Sequence, residues 1–133
     1  MPEGAEEGIK RGMYLFEKDE KATVQLLGSG VILREVIKAA KILRDEYQIH
    51  SNVWSVTSFN ELSRDGMACD EYNRLHPLTE TAQESWVSKQ LRHTDGIVVS
   101  ATDHMRAYSE QIRGYLPDNR PYVTLGTDGY GRS

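Results

Sequence analysis

Only one cysteine, Cys69, occurs among the 133 residues, so no internal disulfide can form. That usage fits a reducing compartment. No apolar run approaches the roughly 20 residues that a membrane-spanning helix needs, and no signal-type apolar stretch follows Met1. A membrane is therefore not expected as a partner, and a cytoplasmic location is. Charge of one sign is not in excess either: 16 basic residues stand against 20 acidic ones, a formal net charge of −4. Without a basic stripe, nucleic acid is not expected as a partner. Internal repeats and low-complexity segments are missing too. What remains is a globular composition, 38% hydrophobic and 27% charged, in a chain long enough for one domain with a real core.

Thr23–Tyr47, TVQLLGSGVILREVIKAAKILRDEY, organises the rest. Thr23–Leu27 is a short apolar run of the kind buried on both faces of a parallel sheet. Gly28-Ser29-Gly30 breaks it, and Ser29 is placed to cap the helix that follows. Leu33, Val36, Ile37, Ala40, Leu43 and Tyr47 then share one helical face, with Arg34, Glu35, Lys38, Lys41, Arg44 and Asp45 mostly on the other. Before this stretch, Ala5–Arg11 predicts a short helix released by Gly12, and Met13–Glu17 a short strand. After it, Ser51–Thr57 predicts a strand. Phe59–Arg64 and Met67–Arg74 predict two helical turns interrupted at Asp65-Gly66. Thr81 and Glu84 have capping-box spacing ahead of a short helix carrying Trp86, Val87 and Leu91. Gly96–Ala101 is a further strand after the turn residues Thr94-Asp95. Thr102 or Asp103 caps a helix with Met105, Tyr108, Ile112 and Tyr115 inward, ended by Pro117-Asp118-Asn119. Tyr122–Leu125 is the last strand. Strands alternating with helices predict a mostly parallel sheet covered on both faces.

Chemistry-bearing motifs are scarce. Gly28-Ser29-Gly30 at a helix N-terminus invites an anion-binding reading, since such a turn offers free N–H groups and partial positive charge. Neither G-x-x-x-x-G-K-S/T nor the third glycine of a dinucleotide fingerprint follows, and a tight strand-to-helix turn explains the same residues. Gly126-Thr127-Asp128-Gly129 resembles a fragment of the magnesium and thiamine diphosphate motif that begins Gly-Asp-Gly, but the first pair is wrong, no asparagine follows at the required distance, and a plain turn accounts for it. His50, His76, His93 and His104 form no i, i+4 metal pair. His104 beside Asp103 admits a base-and-orienter reading or a simple helix start. Cys69 has no adjacent histidine and reads as a small core residue. Ser55 and Ser100 lack a nucleophile elbow.

Longer phrases are more specific. MPEGAEEGIKRGMYLFE, VQLLGSGVILREVIKAAKIL, SNVWSVTSFNELSRDGMACDEYNRLHPL and VTLGTDGYGRS occur in collinear order over nearly the whole chain. Together they resemble the C-terminal domain of the homodimeric bacterial pyruvate dehydrogenase decarboxylating component. The resemblance implies a transketolase C-terminal fold: a three-layer α/β/α sandwich on a mixed five-stranded sheet. Met13–Glu17 would be its first strand, antiparallel to the rest, and Thr23–Leu27 would be central. It implies a single domain over residues 1–133, a truncated fragment of a larger multidomain subunit.

The implied parent activity is decarboxylation of pyruvate on thiamine diphosphate with magnesium, followed by reductive acetylation of a lipoyl group on the acyltransferase component. The implied partners are the other domains of the subunit, the second subunit of a homodimer and that acyltransferase. The family's cofactor-activating and diphosphate-binding residues lie in its other domains. No catalytic, cofactor-binding or metal-binding residue is therefore carried onto this sequence, and the fragment alone is expected to be inactive. An anion-binding or partner-binding regulatory module built on Gly28, Ser29 and Gly30 is the alternative.

Overall fold

In the computed structural model, residues 5–76, 82–102, 109–117 and 120–126 are described. A five-stranded sheet forms from β1 (Met13–Glu17), β2 (Val24–Gly28), β3 (Ser51–Val56), β4 (Ile97–Ala101) and β5 (Tyr122–Leu125). Their spatial order is β1-β3-β2-β4-β5. β1 runs antiparallel to β3, and every other pairing is parallel. The first strand is thus the antiparallel one and β2 is central, as the resemblance implies. Among the described residues, four α-helices accompany the sheet: α1 (Ala5–Arg11), α2 (Ile32–Tyr47), α3 (Phe59–Leu75) and α4 (Trp86–Leu91). A 3₁₀ turn follows at Arg113–Tyr115.

Alternation along the strands sends side chains to two unequal cores. Leu27, Trp54, Val56, Val98 and Met13 face α3 and α4, where they meet Phe59, Leu62, Val87 and Leu91 with Ile112. Burying each such side chain contributes roughly 1.5–3 kcal/mol before conformational entropy is set against it. On the opposite face Leu26 and Val53 meet Val36 of α2, with Leu33, Ile37, Ala40 and Leu43 packed around them. The predicted inward face of α2 therefore holds except at its end. Tyr47 is 65% exposed, because it lies in the last helical turn, just before the chain reverses through Gln48 in the left-handed conformation.

Two further expectations are corrected. Residues 59–75 form one helix, not two turns broken at Gly66. Glycine stands at 66 inside the helix because the ring of Tyr115 lies against it: a Cβ there would come within 2.6–2.7 Å of three ring carbons. The helix starts at Ser58, whose hydroxyl accepts from the Glu61 N–H at 3.0 Å, a cap the sequence displays as S-x-x-E. α4 is capped by Ser85, which accepts from Ser88 N–H at 3.3 Å. Glu84 instead accepts from the Ser88 hydroxyl at 2.9 Å; Thr81 lies outside the described residues. So do Met105 and Tyr108 of the predicted late helix. Ile112 is fully buried as expected, but the chain around Tyr115 is a 3₁₀ turn.

The helices on the larger face are tied by polar contacts. Asp65 of α3 accepts from the Arg11 guanidinium at 3.1 Å and from the backbone N–H of Trp86 at 2.6 Å. Arg11 also lies 4.5 Å from the Trp86 ring centre, and the indole N–H reaches the Met13 carbonyl at 3.0 Å. Arg120, just before β5, donates to the carbonyls of Leu91, Thr94 and Gly96 at 2.8–3.1 Å. It thereby binds up the end of α4 and the turn into β4.

Candidate functional site

In open α/β sheets ligands sit beyond the carboxyl ends of the strands where the strand order reverses. Here that point lies between β2 and β4, so it contains Gly28, Ser29 and Gly30. Gly28 ends β2, and a Cβ on it would stand 2.9 Å from Cγ2 of Val36 and 3.1 Å from Cα of Leu33. Its bare α-carbon lets α2 lie close on the strand. Ser29 is buried. Its N–H donates to the Ala101 carbonyl at 3.3 Å and its hydroxyl donates to Oγ1 of Thr102 at 3.0 Å. The expectation that Ser29 caps α2 is therefore corrected. The N-cap position is Val31, which makes no side-chain capping bond, and the serine hydroxyl joins the ends of β2 and β4 instead.

Two N–H groups of the first helical turn are also engaged. Ile32 donates to the Ser29 carbonyl at 3.2 Å and Leu33 to the Gly30 carbonyl at 3.3 Å, and Glu35 places negative charge in the same turn. Fewer donors thus remain for an anion than a bare helix N-terminus offers. Gly28, Ser29 and Gly30 form a turn that packs a helix and closes a strand end.

The polar residues that the sequence reading passed over are gathered at the opposite end of the sheet. Gln25, fully buried in β2, accepts at Oε1 from Asn52 Nδ2 at 3.1 Å and from Trp54 Nε1 at 2.9 Å. Its own amide donates to the Asp95 carbonyl at 3.1 Å. Asn52 Oδ1 in turn accepts from the Asp19 N–H at 2.8 Å. Asp19 is 2.6 Å from Nδ1 of His50, and since a carboxylate only accepts, that nitrogen carries the proton. The His50 bond, helped by the Lys21 N–H, holds the Asp19 carboxyl below the usual carboxylate range. These partners are tens of residues apart in sequence, and no short motif announces them.

Cys69, Tyr122 and His76 are each buried or paired. Cys69 is buried. Burial, with Asp65 nearby, pushes its thiol up, which suppresses the reactive thiolate. The Tyr122 hydroxyl donates to the Ser109 carbonyl at 2.8 Å, and burial raises it well above an ordinary phenol. His76 stacks on Tyr72. His104, Asp103 and the Thr127-Asp128-Gly129 part of the Gly126–Gly129 turn lie outside the described residues. Among the described residues no group of three or more His, Cys, Asp and Glu side chains is arranged to hold a metal ion.

The family described as the transketolase-like TK C-terminal domain matches residues 12–133. The chain belongs to that family. Its fold agrees with the solved transketolase of Campylobacter jejuni, at a TM-score of 0.53 and 18% identity over 89% of this chain and 14% of that one. It agrees also with a split-gene transketolase described as an inactive β4 tetramer, at 0.52 and 20% over 90% and 36%. Sequence relatives are nearer. The pyruvate dehydrogenase E1 component of Pseudomonas aeruginosa is 54% identical over the whole of this chain. Those of Escherichia coli and Cupriavidus necator are 51% and 49% identical. This member of the family spans about 15% of the length of each of these relatives.

Proposed function

We propose that this chain serves as the C-terminal domain of a pyruvate dehydrogenase E1 component. The whole enzyme would decarboxylate pyruvate on thiamine diphosphate and transfer the two-carbon unit reductively to a lipoyl group of the acyltransferase. The single observation that carries this reading is the 54% identity over the full chain to an enzyme of that name. The domain's own part is scaffolding and subunit contact within a cytoplasmic homodimer. No described helix is long and apolar enough to cross a membrane.

The described residues do not fit a magnesium-bound diphosphate. Magnesium requires several oxygen ligands in near-octahedral array, and the described acids are dispersed or already paired. The Gly28–Gly30 turn spends its hydroxyl and two following N–H groups internally. On this reading no catalytic step is assigned to this chain, and the reacting groups belong to the other parts of the whole enzyme.

A chimera tests this reading. The corresponding C-terminal part of the Pseudomonas aeruginosa enzyme is replaced by this chain, and pyruvate decarboxylation is assayed with thiamine diphosphate and magnesium. Activity near that of the parent is expected. A chimera that folds and dimerises but turns over no pyruvate rejects the assignment. In parallel, calorimetry of the 133-residue chain with thiamine diphosphate and magnesium should record no binding; micromolar affinity there rejects the purely scaffolding role.

A further inference from the structure

Beside α2, on the sheet face it covers, lies a cleft of about 260 Å³. Ile37, Ala40 and Val53 give it an apolar floor, and Ser51 stands at its end. Ser51 is 8% exposed, and its hydroxyl has no hydrogen-bond partner. Ser51 and Val53 alternate onto the same face of β3. Val53 packs in the α2-side core, so the Ser51 hydroxyl is turned toward the cleft. A buried hydroxyl left unpaired is costly enough to require an explanation.

The rim supplies the charge. Lys38, Lys41 and Arg44 of α2 line the cleft with Lys18, against two carboxylates, Glu17 and Asp19. Asp19 is already occupied by His50 and the Lys21 N–H. Lys38, Arg44 and Lys18 stand 3.3–3.5 Å from Glu35, Asp45 and Glu20 respectively. Those pairs are exposed and readily exchanged for a better partner. Lys41 has no ion pair among the described residues. The carbonyls at the C-terminal end of α2, which would repel an anion, are partly taken up by the Gln48 and Ile49 N–H groups. A register irregularity in β1 adds the Glu17 carboxylate to the lining, a charge outweighed by Lys18, Lys38, Lys41 and Arg44. Leu15 faces the α3 side, and regular alternation would send Glu17 there too. An extra residue between them pairs Glu17 with Val53 and brings it to the cleft.

We propose that this cleft binds a small tetrahedral oxyanion of the phosphate class, with the Ser51 hydroxyl donating to it and Lys41, Lys38 and Arg44 supplying countercharge. The volume lies below the range that accommodates drug-sized ligands, so the cleft suits inorganic phosphate or the phosphoryl end of a small ester. It lies at the other end of α2 from the Gly28–Gly30 turn.

The test is a titration of the ¹⁵N-labelled chain with inorganic phosphate at constant ionic strength, with sodium acetate as a parallel arm. Saturable amide shifts centred on Lys41, Ser51 and Val53 at sub-millimolar phosphate are expected, with at least tenfold weaker binding in Ser51→Ala and in Lys41→Ala. Thermal melts add an independent readout. Without phosphate, Ser51→Ala should unfold at the same or a higher temperature than wild type, since an orphan hydroxyl is removed. Phosphate should then raise the Tm of wild type but not of the variant. Shifts that grow linearly without saturation, or that both variants leave unchanged, overturn the site. Acetate binding as tightly as phosphate overturns the phosphate assignment.

Discussion

At Gly66 the usual arithmetic of helix glycine is reversed. Replacing a helical glycine by alanine ordinarily gains up to about 1 kcal/mol. Here the new methyl would sit 2.6 Å from the base of the Tyr115 ring, and overpacking of this kind costs about 1–3 kcal/mol. Gly66→Ala is expected to destabilise by about 1 kcal/mol in urea titration. Gly114→Ala, where nothing lies within 4 Å of the added methyl, should leave the midpoint nearly unchanged. Equal effects at both positions would show that the ring contact is not what matters. Gln25 makes a second residue-scale case. Gln25→Leu removes the acceptor of two buried donors, Asn52 Nδ2 and Trp54 Nε1, and each donor left unpaired costs about 1–3 kcal/mol. A loss of about 3 kcal/mol is expected, and a loss under about 1 kcal/mol would mean that water replaces the amide. Asp19 carries the pH dependence. Its carboxyl is held below its ordinary value of 3.8, so its contribution is complete well above that pH. The contribution fades as pH falls through the lowered native value. Asp19→Asn should therefore be less stable than wild type at neutral pH, and the two melting curves should converge as pH drops below that ordinary value.

Element by element, the sequence announced most where a local rule was sufficient. β2 and α2 are legible because an apolar run, glycines and a 3.6-residue period follow one another without interruption, and their bounds differ from the reading by a residue or two. α3 runs past its local pattern: Gly66 looks like a stop signal in the sequence alone. The decisive partner, Tyr115, is 49 residues away by sequence number, and no local pattern reveals it. The Ser58 cap on Glu61 N–H, which the structure shows, outweighs that glycine. Ser58→Ala is expected to cost about 1 kcal/mol and to fray the start of α3, read as faster amide exchange over Glu61 and Leu62. Ser29→Ala separates the two kinds of serine. It should leave the first turn of α2 intact while loosening exchange at the ends of β2 and β4, because its bond runs to Thr102. The Gln25 and Asp19–His50 network was illegible for the same reason as Gly66: each link joins separate elements that only the tertiary fold brings together.

For the molecule as a whole, the sheet divides stability unevenly between its two faces. Among the described residues the α3 and α4 side holds most of the fully buried side chains, whereas the α2 side has one helix over three strands. On that second face β5 contributes Val123 and Leu125, which are 42% and 46% exposed, while its alternate residues Tyr122 and Thr124 are buried against the other side. The register places Val123 beside Val99 and Leu125 beside Ala101, so the α2-side cover thins toward that edge. Folding free energy should therefore track the larger core. Leu27→Ala, at the centre of the sheet with no exposed surface, is expected to cost about 2–5 kcal/mol. Val123→Ala should cost less than about 1 kcal/mol, the span of strand propensity at a half-exposed site. Urea denaturation of the two variants, with wild type as reference, decides the matter. A Val123→Ala loss as large as that of Leu27→Ala would mean that the β5 edge is an integral part of the fold's core, and the division of stability between the faces would have to be abandoned.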